Sequence, residues 1–135
     1  MKFSYKELAT GHVRPIIPIA VRNPKTKKST RYYGLIDSGS DTCIFSSEIA
    51  DVIGIDVKSG REQPIGGVVE GQRRSMYFHT VEVEIAGWTH SCEVAFMPDL
   101  AKNGHGLLGR NGFFDRFSFV KFEQAKETIE LGAHL

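Results

Sequence analysis

The chain has 135 residues, 41% hydrophobic and 24% charged, with a formal net charge of +1; that length suits one compact domain with its own core, and the balanced charge argues against nucleic acid or an anionic membrane as the main partner. Two cysteines, Cys43 and Cys92, are too few for a disulfide framework. Met1–Thr10 lacks the apolar centre of a signal peptide, and no stretch approaches the roughly 20 apolar residues of a membrane span, so a cytoplasmic protein with no membrane association is expected.

The apolar run Val13–Val21 is interrupted by Pro15 and Pro18, which predicts an edge or irregular strand. Asn23–Thr30 is a polar turn carrying Lys25, Lys27 and Lys28; without aromatic interleaving or a second basic cluster it reads as solvated. Arg31–Ile36 is the returning strand of a hairpin. After Asp37-Ser38-Gly39-Ser40 comes the short apolar run Cys43-Ile44-Phe45. Ser46 or Ser47 then caps a short helix over Glu48–Ile53, with Glu48 near its positive end and Gly54 as its stop.

Pro64-Ile65-Gly66-Gly67 opens a glycine-rich stretch that closes at Gly71. Strict alternation over Thr80–Ile85 places Val81, Val83 and Ile85 on one face of a half-buried strand. Beyond Gly87 a second alternating strand carries Cys92, Val94 and Phe96 on one side. A loop over Pro98–Gly106 leads into Leu107-Leu108-Gly109, then a helical turn within Asn111–Phe117 and a closing hairpin of Phe119–Phe122 with Thr128–Leu131. About eight short strands with one or two short helices make a single, mainly β domain over 1–135, with a closed or barrel-like sheet.

The sharpest local feature is Gly34-Leu35-Ile36-Asp37-Ser38-Gly39-Ser40-Asp41. An apolar strand delivers a carboxylate into a turn of small residues, and a carboxylate there needs hydrogen bonds or a functional partner. Asp-Ser-Gly by itself is an ordinary turn sequence. Competing chemistries lack their patterns. His79, His90 and Cys92 have no paired metal-ligand spacing, so no metal or other cofactor is expected. No Gly-Lys-Ser/Thr follows a glycine-rich run, and no Gly-x-Ser-x-Gly elbow is present.

The run around Asp37 resembles the active-site signature of aspartic proteases: two hydrophobic residues, Asp, Thr or Ser, Gly, then Ala or Ser. Leu107-Leu108-Gly109-Arg110-Asn111 resembles the second signature of the retropepsins, and Ile65-Gly66-Gly67-Val68 the tip of their flap. Arg14-Pro15 before an apolar run resembles the start of the retroviral protease domain. The four matches stand in the family's order and cover residues 14–122. After Phe113-Phe114 the chain departs from the viral pattern, and its longer, charged end looks more like cellular and bacterial members.

The resemblance implies a retropepsin-like closed β-barrel and an aspartic endopeptidase. Two carboxylates sharing one proton would activate water as base and polarise the peptide carbonyl as acid. The chain carries a single Asp-Ser-Gly, so catalytic Asp37 would meet a second Asp37 on the axis of a homodimer. Ser38 would hydrogen-bond across the dimer beneath the carboxylates, and Gly39 would let a substrate backbone approach. Ser40 would donate to the aspartate, favouring its charged form and an acid-shifted optimum. Asp41 and Arg110 would form a buried ion pair near the site, with Arg14 reaching across the dimer. Ile44, Ile65, Gly66, Gly67, Val68, His105 and Leu107 would contact the peptide or protein substrate. The alternative is a non-catalytic retropepsin-like domain kept for dimerisation or peptide binding.

Overall fold

The computed structural model describes residues 1–65, 74–98, 100 and 104–135. Three short strands come first: β1 (Lys2–Ser4), β2 (Lys6–Glu7) and β3 (Val13–Arg14). They are followed by β4 (Ile16–Arg22), β5 (Ser29–Ile36), β6 (Ile44–Ser46) and the helix α1 (Ser47–Val52). The remaining strands are β7 (Arg61–Ile65), β8 (Arg74–Ile85), β9 (Trp88–Met97), β10 (Gly106–Leu108), β11 (Val120–Glu123) and β12 (Thr128–Leu131). The protein is mainly β, as the alternating patterns predict.

The principal sheet runs β4-β5-β10-β6-β9-β8-β7, and β4 also pairs with β8, so the ring of strands closes. Closure uses Ala20–Arg22 of β4 against 82–84 of β8. It is reinforced by the Arg22–Glu82 ion pair and by Lys27 Nζ, 3.3 Å from Glu82. The hydrogen bond from Arg22 holds the Glu82 carboxyl below its ordinary range. Pro18, expected on an edge, lies where β4 faces only β5, outside the β8 pairing, so its missing N–H is tolerated.

Inward alternation fills the ring. Val81, Val83 and Ile85 of β8 meet Val94 and Phe96 of β9, Ile17, Ile19 and Val21 of β4, and Phe45 of β6, all buried. Tyr32, Phe45 and Phe96 form successive edge-on contacts, with centroids 5.5 and 6.2 Å apart. The helix starts where Ser46 Oγ accepts the Glu48 N–H at 3.2 Å, and Gly54 takes φ +78° just past its end. No helix among the described residues is long and apolar enough to cross a membrane.

The termini form a separate three-stranded sheet, β1-β12-β11. β1 pairs antiparallel with β12, Phe3 opposite Ile129. Ile129 and Leu131 face the core, while Lys2, Glu130 and Lys121 share the other face in register. The closing hairpin was expected; its N-terminal third strand was not.

Beyond β12 the last residues are clasped by histidines. His134 stacks on Trp88 with centroids 5.4 Å apart, and its Nε2 lies 3.2 Å from His90 Nδ1. His90 Nε2 lies 2.7 Å from the Gly112 carbonyl. A carbonyl only accepts, so His90 Nε2–H donates, leaving Nδ1 to accept from His134. Burial pushes His90 below its ordinary 6.5; the Gly112 carbonyl opposes that shift, while Arg116 and His134 reinforce it. The unfolded histidine therefore takes up a proton first. This contribution to stability is full above about pH 6.5 and erodes as the pH falls below that value. Urea midpoints at pH 7.5 and 5.5 should fall on acidification, and by less in His90→Gln, which keeps a donor for Gly112; an equal fall in both proteins would assign the effect elsewhere.

Candidate active site

Asp37 is the first residue past β5. β5 and β6 are consecutive in sequence, yet β10 lies between them, parallel to β5 and antiparallel to β6. The connection Asp37–Cys43 must therefore arch over the end of β10. Asp37 N–H donates to Leu108 O at 3.0 Å, fixing the aspartate at the sheet's end. Within the arch, Gly39 N–H donates to Asp37 Oδ1 at 2.9 Å, and Ser40 N–H to Asp37 O at 3.2 Å. The carboxylate is thus oriented through one oxygen, and its second oxygen has no hydrogen-bond partner among the described residues.

The segment after β10 supports the arch from beside it. Arg110 N–H donates to Ser40 O, and Asn111 N–H to Asp41 O, each at 2.9 Å. Gly109 makes this contact possible, because a Cβ there would lie 2.3 Å from Thr42 O and 2.7 Å from Ser40 O. Gly39 is less tightly placed: a Cβ there would meet only Asp37 Oδ1, at 3.2 Å.

Asp37, Ser38, Gly39, Ser40 and Asp41 therefore share one loop, against which Arg110 is hydrogen-bonded. Ile44 and Leu107 are register partners, and Leu107 is also paired with Leu35. All three are half-buried, forming a partly open apolar floor. His105 precedes β10 and Ile65 ends β7. Gly66, Gly67 and Val68 lie outside the described residues. Ser38 is exposed at the tip of the arch. Arg14 lies in β3, its backbone paired with Lys6.

Two expectations change. Ser40 Oγ donates to Thr42 O at 2.7 Å and not to Asp37; the arch curls enough to bring a backbone acceptor within reach, so the hydroxyl braces the loop. Asp41 and Arg110 do form an ion pair, but the side chains are 78% and 62% exposed. The pair is solvated rather than buried, and contributes at most about 1 kcal/mol in that state.

The sequence reading missed a cavity beside the arch, whose lining does not include Asp37. It encloses about 690 Å³ between Ser40, Thr42 and Ile44 on one side and Arg61, Met76 and Phe78 of β7 and β8 on the other. Arg61 is held across it, 2.8 Å from Glu93 and 4.3 Å from the Phe78 ring centre. The former metal candidates are engaged with backbone: His79 Nε2 lies 2.8 Å from Val57 O, and His90 meets Gly112. Cys43 and Cys92 are buried free thiols, their pKa values raised by burial to about 12 and about 11.

A family profile for aspartyl proteases matches residues 26–111. A retropepsin-like aspartic protease from Rickettsia conorii superposes with a TM-score of 0.64 at 17% identity, covering 97% of this chain and 89% of that one. The retroviral protease-like domain of Ddi1 from Leishmania major gives 0.58 at 16% identity, covering 87% of each chain. The protease of EIAV, solved with the inhibitor HBY-793, gives 0.50 at 21% identity, covering 72% of this chain and 82% of that one. No curated protein sequence matches. The family match covers more than half of the chain: it belongs to the aspartyl protease family, with the retropepsin-like fold.

The Ser40 geometry gives a test. Ser40→Ala should lower stability by about 1 kcal/mol through the lost bond to Thr42, measured by urea unfolding. The acid limb of its pH–rate profile should stay where the wild type has it; a displaced limb would restore the direct contact with Asp37.

Proposed function

We propose that this member of the aspartyl protease family is a homodimeric endopeptidase in which the Asp37 carboxylates of two copies activate one water. The observation that carries the reading is the Asp37 arch: a half-buried carboxylate, oriented through Oδ1 by Gly39, at the end of a strand locked to Leu108. One chain supplies one such group, and a proton-sharing pair needs two. Like charges at contact distance resist joint ionisation, so the pair holds one proton across a wide pH range. Its ionised member takes a proton from water as the oxygen attacks the peptide carbonyl. Its protonated member donates to the carbonyl oxygen, and the proton then passes to the leaving amine.

The other residues fit supporting roles. Ser38, exposed at the tip, would bond across the two-fold axis. Gly39, without a side chain, would leave room for the substrate backbone. Ile44 and Leu107 offer apolar floor to substrate side chains, joined by His105, Ile65 and the segment Gly66-Gly67-Val68. Asp41 and Arg110 would hold the loop and face the partner, beside Arg14. Peptides or proteins are the substrates, and the proposed chemistry requires no cofactor.

Cleavage of a peptide library from acid to neutral pH tests this reading. Asp37→Asn should lose about 10²–10⁴-fold in rate, and wild-type specific activity should rise with enzyme concentration as dimers form. Excess Asp37→Asn chains mixed into wild type should suppress turnover, since mixed dimers hold a single carboxylate. Undiminished activity in the variant would discard the mechanism. Peptide binding without turnover in either protein would favour a binding domain instead.

A further inference from the structure

The sequence holds two Asn-Gly pairs, Asn103-Gly104 and Asn111-Gly112, and the second lies in the segment that braces the Asp37 arch. Asn-Gly is the dipeptide most open to attack on itself. Glycine has no Cβ to hinder its backbone nitrogen from swinging onto the preceding side-chain amide. Asn111 is exposed, so solvent reaches that amide. Its own N–H donates to Asp41 O at 2.9 Å, and it forms a parallel bridge with Thr42. Gly112 is buried and takes φ +102°, a conformation that disfavours any side chain. A Cβ there would also lie 3.2 Å from Cys43 Sγ and 3.4 Å from Cys92 Sγ. The fold thus calls for glycine directly after an exposed asparagine.

The nitrogen that would attack is already engaged. Gly112 N–H donates to Asp115 Oδ1 at 2.9 Å, while the Gly112 carbonyl accepts from His90 Nε2 at 2.7 Å. Asp115 is itself held from two sides. Its N–H donates to Arg110 O at 3.0 Å, and Arg116 Nε lies 3.6 Å from the same Oδ1. Attack on Asn111 Cγ requires the Gly112 nitrogen to lose its proton and turn toward the side chain. The bond to Asp115 opposes the turn, and a carboxylate beside the N–H disfavours the anionic nitrogen.

We propose that Asn111 is a deamidation site in the brace of the arch, and that Asp115 restrains it. When the Asp115 bond opens, the Gly112 nitrogen attacks Asn111 Cγ. A new N–C bond forms, the nitrogen's proton is lost, and the side-chain amide leaves as ammonia. Water then opens the succinimide at either carbonyl, giving aspartate or isoaspartate; nothing is oxidised or reduced. Either product adds a carboxylate to a cavity already lined by Asp41, Glu93 and Asp115. Isoaspartate does more, because the main chain then runs through Cβ and Cγ. The added backbone atom shifts Gly112 against the neighbouring segment, so the Arg110–Ser40 and Asn111–Asp41 bonds no longer fit together with the Gly112 contacts. The inference holds whether or not the Asp37 pair hydrolyses peptides.

The test ages wild type and Asp115→Ala at mildly alkaline pH and follows both Asn-Gly pairs by peptide mapping. Each conversion adds one dalton, and the isoaspartyl peptide separates from the aspartyl one by retention. Wild type in urea gives the unrestrained rate. Asn111 should convert more slowly in folded wild type than in urea. Asp115→Ala should speed it about tenfold in the folded protein, the factor expected for one hydrogen bond to a charged group. Asn103 should convert equally in both folded proteins, which separates a local effect from general loosening. An equal Asn111 rate in variant and wild type, or one as fast in folded wild type as in urea, would overturn the restraint. An Asn111 that stays intact even in urea would overturn the site. Where Asp115→Ala does not fold, amide hydrogen exchange at Gly112 in wild type decides. Protection there supports the restraint, and exchange at the rate of an unstructured peptide overturns it. The purified isoaspartyl form should show a lower urea midpoint than its parent; an unchanged midpoint would overturn the consequence for the brace.

Discussion

The insertion of β10 between β5 and β6 governs the geometry of the site. Two strands adjacent in sequence are forced apart by a third, and the chain joining them has to bridge that strand's end. The bridging backbone loses its regular ladder partners, and buried backbone groups left unpaired are costly. Here they find substitutes nearby: Asp37 N–H on Leu108, Arg110 N–H on Ser40, Asn111 N–H on Asp41, and the Ser40 hydroxyl on Thr42. The two segments approach so closely that Gly109 has no room for a Cβ. The aspartate's position thus follows from backbone hydrogen bonding before any catalytic role is considered.

Both feet of the arch stand on packed structure. Ile36 precedes it and is 4% exposed; Phe45 follows it and is fully buried. Phe45 contacts Tyr32 and Phe96 edge-on, and the Tyr32 hydroxyl accepts the Ser46 N–H at 3.2 Å. The start of α1 is thereby fixed to the same cluster. A loop between such anchors has little freedom to move as a whole, which suits a carboxylate that must meet its counterpart accurately.

Much of this was legible in the sequence because burial imposes period two. Val81, Val83 and Ile85, and Cys92, Val94 and Phe96, declare their strands and their inward faces. The order of the two signature segments also placed Arg110 beside the Asp37 loop. Other features left no local trace. Arg61–Ile65 is a strand with four of its five residues exposed, so no alternation marks it, and it was read only as the entry to a glycine-rich stretch. The pairing of β1 with β12 joins residues 124 to 128 positions apart in register, a long-range choice that three polar-flanked residues cannot announce. Ser40 was misjudged because a hydroxyl takes whichever acceptor the curled backbone offers. Asp41 and Arg110 were correctly paired, but their solvation depends on what lies opposite them.

Solvation of that pair bears on how a second copy would dock. Asp41 and Arg110 reach each other on an open surface, and covering them removes water from both charges at once. Such desolvation exceeds the mutual attraction unless new hydrogen bonds compensate. A partner that approached only with apolar surface would therefore be rejected at this point, whereas one presenting polar groups in register would be accepted. The β1–β12 pairing narrows the options from the other side, since the N-terminal strand is already satisfied within its own chain on one edge. Within one chain the loop already holds its own hydrogen bonds, from the Gly39, Ser40, Arg110 and Asn111 N–H groups and the Ser40 hydroxyl. In the proposed dimer, association would supply a second carboxylate to a loop already in place, so dependence of activity on concentration would report docking rather than folding.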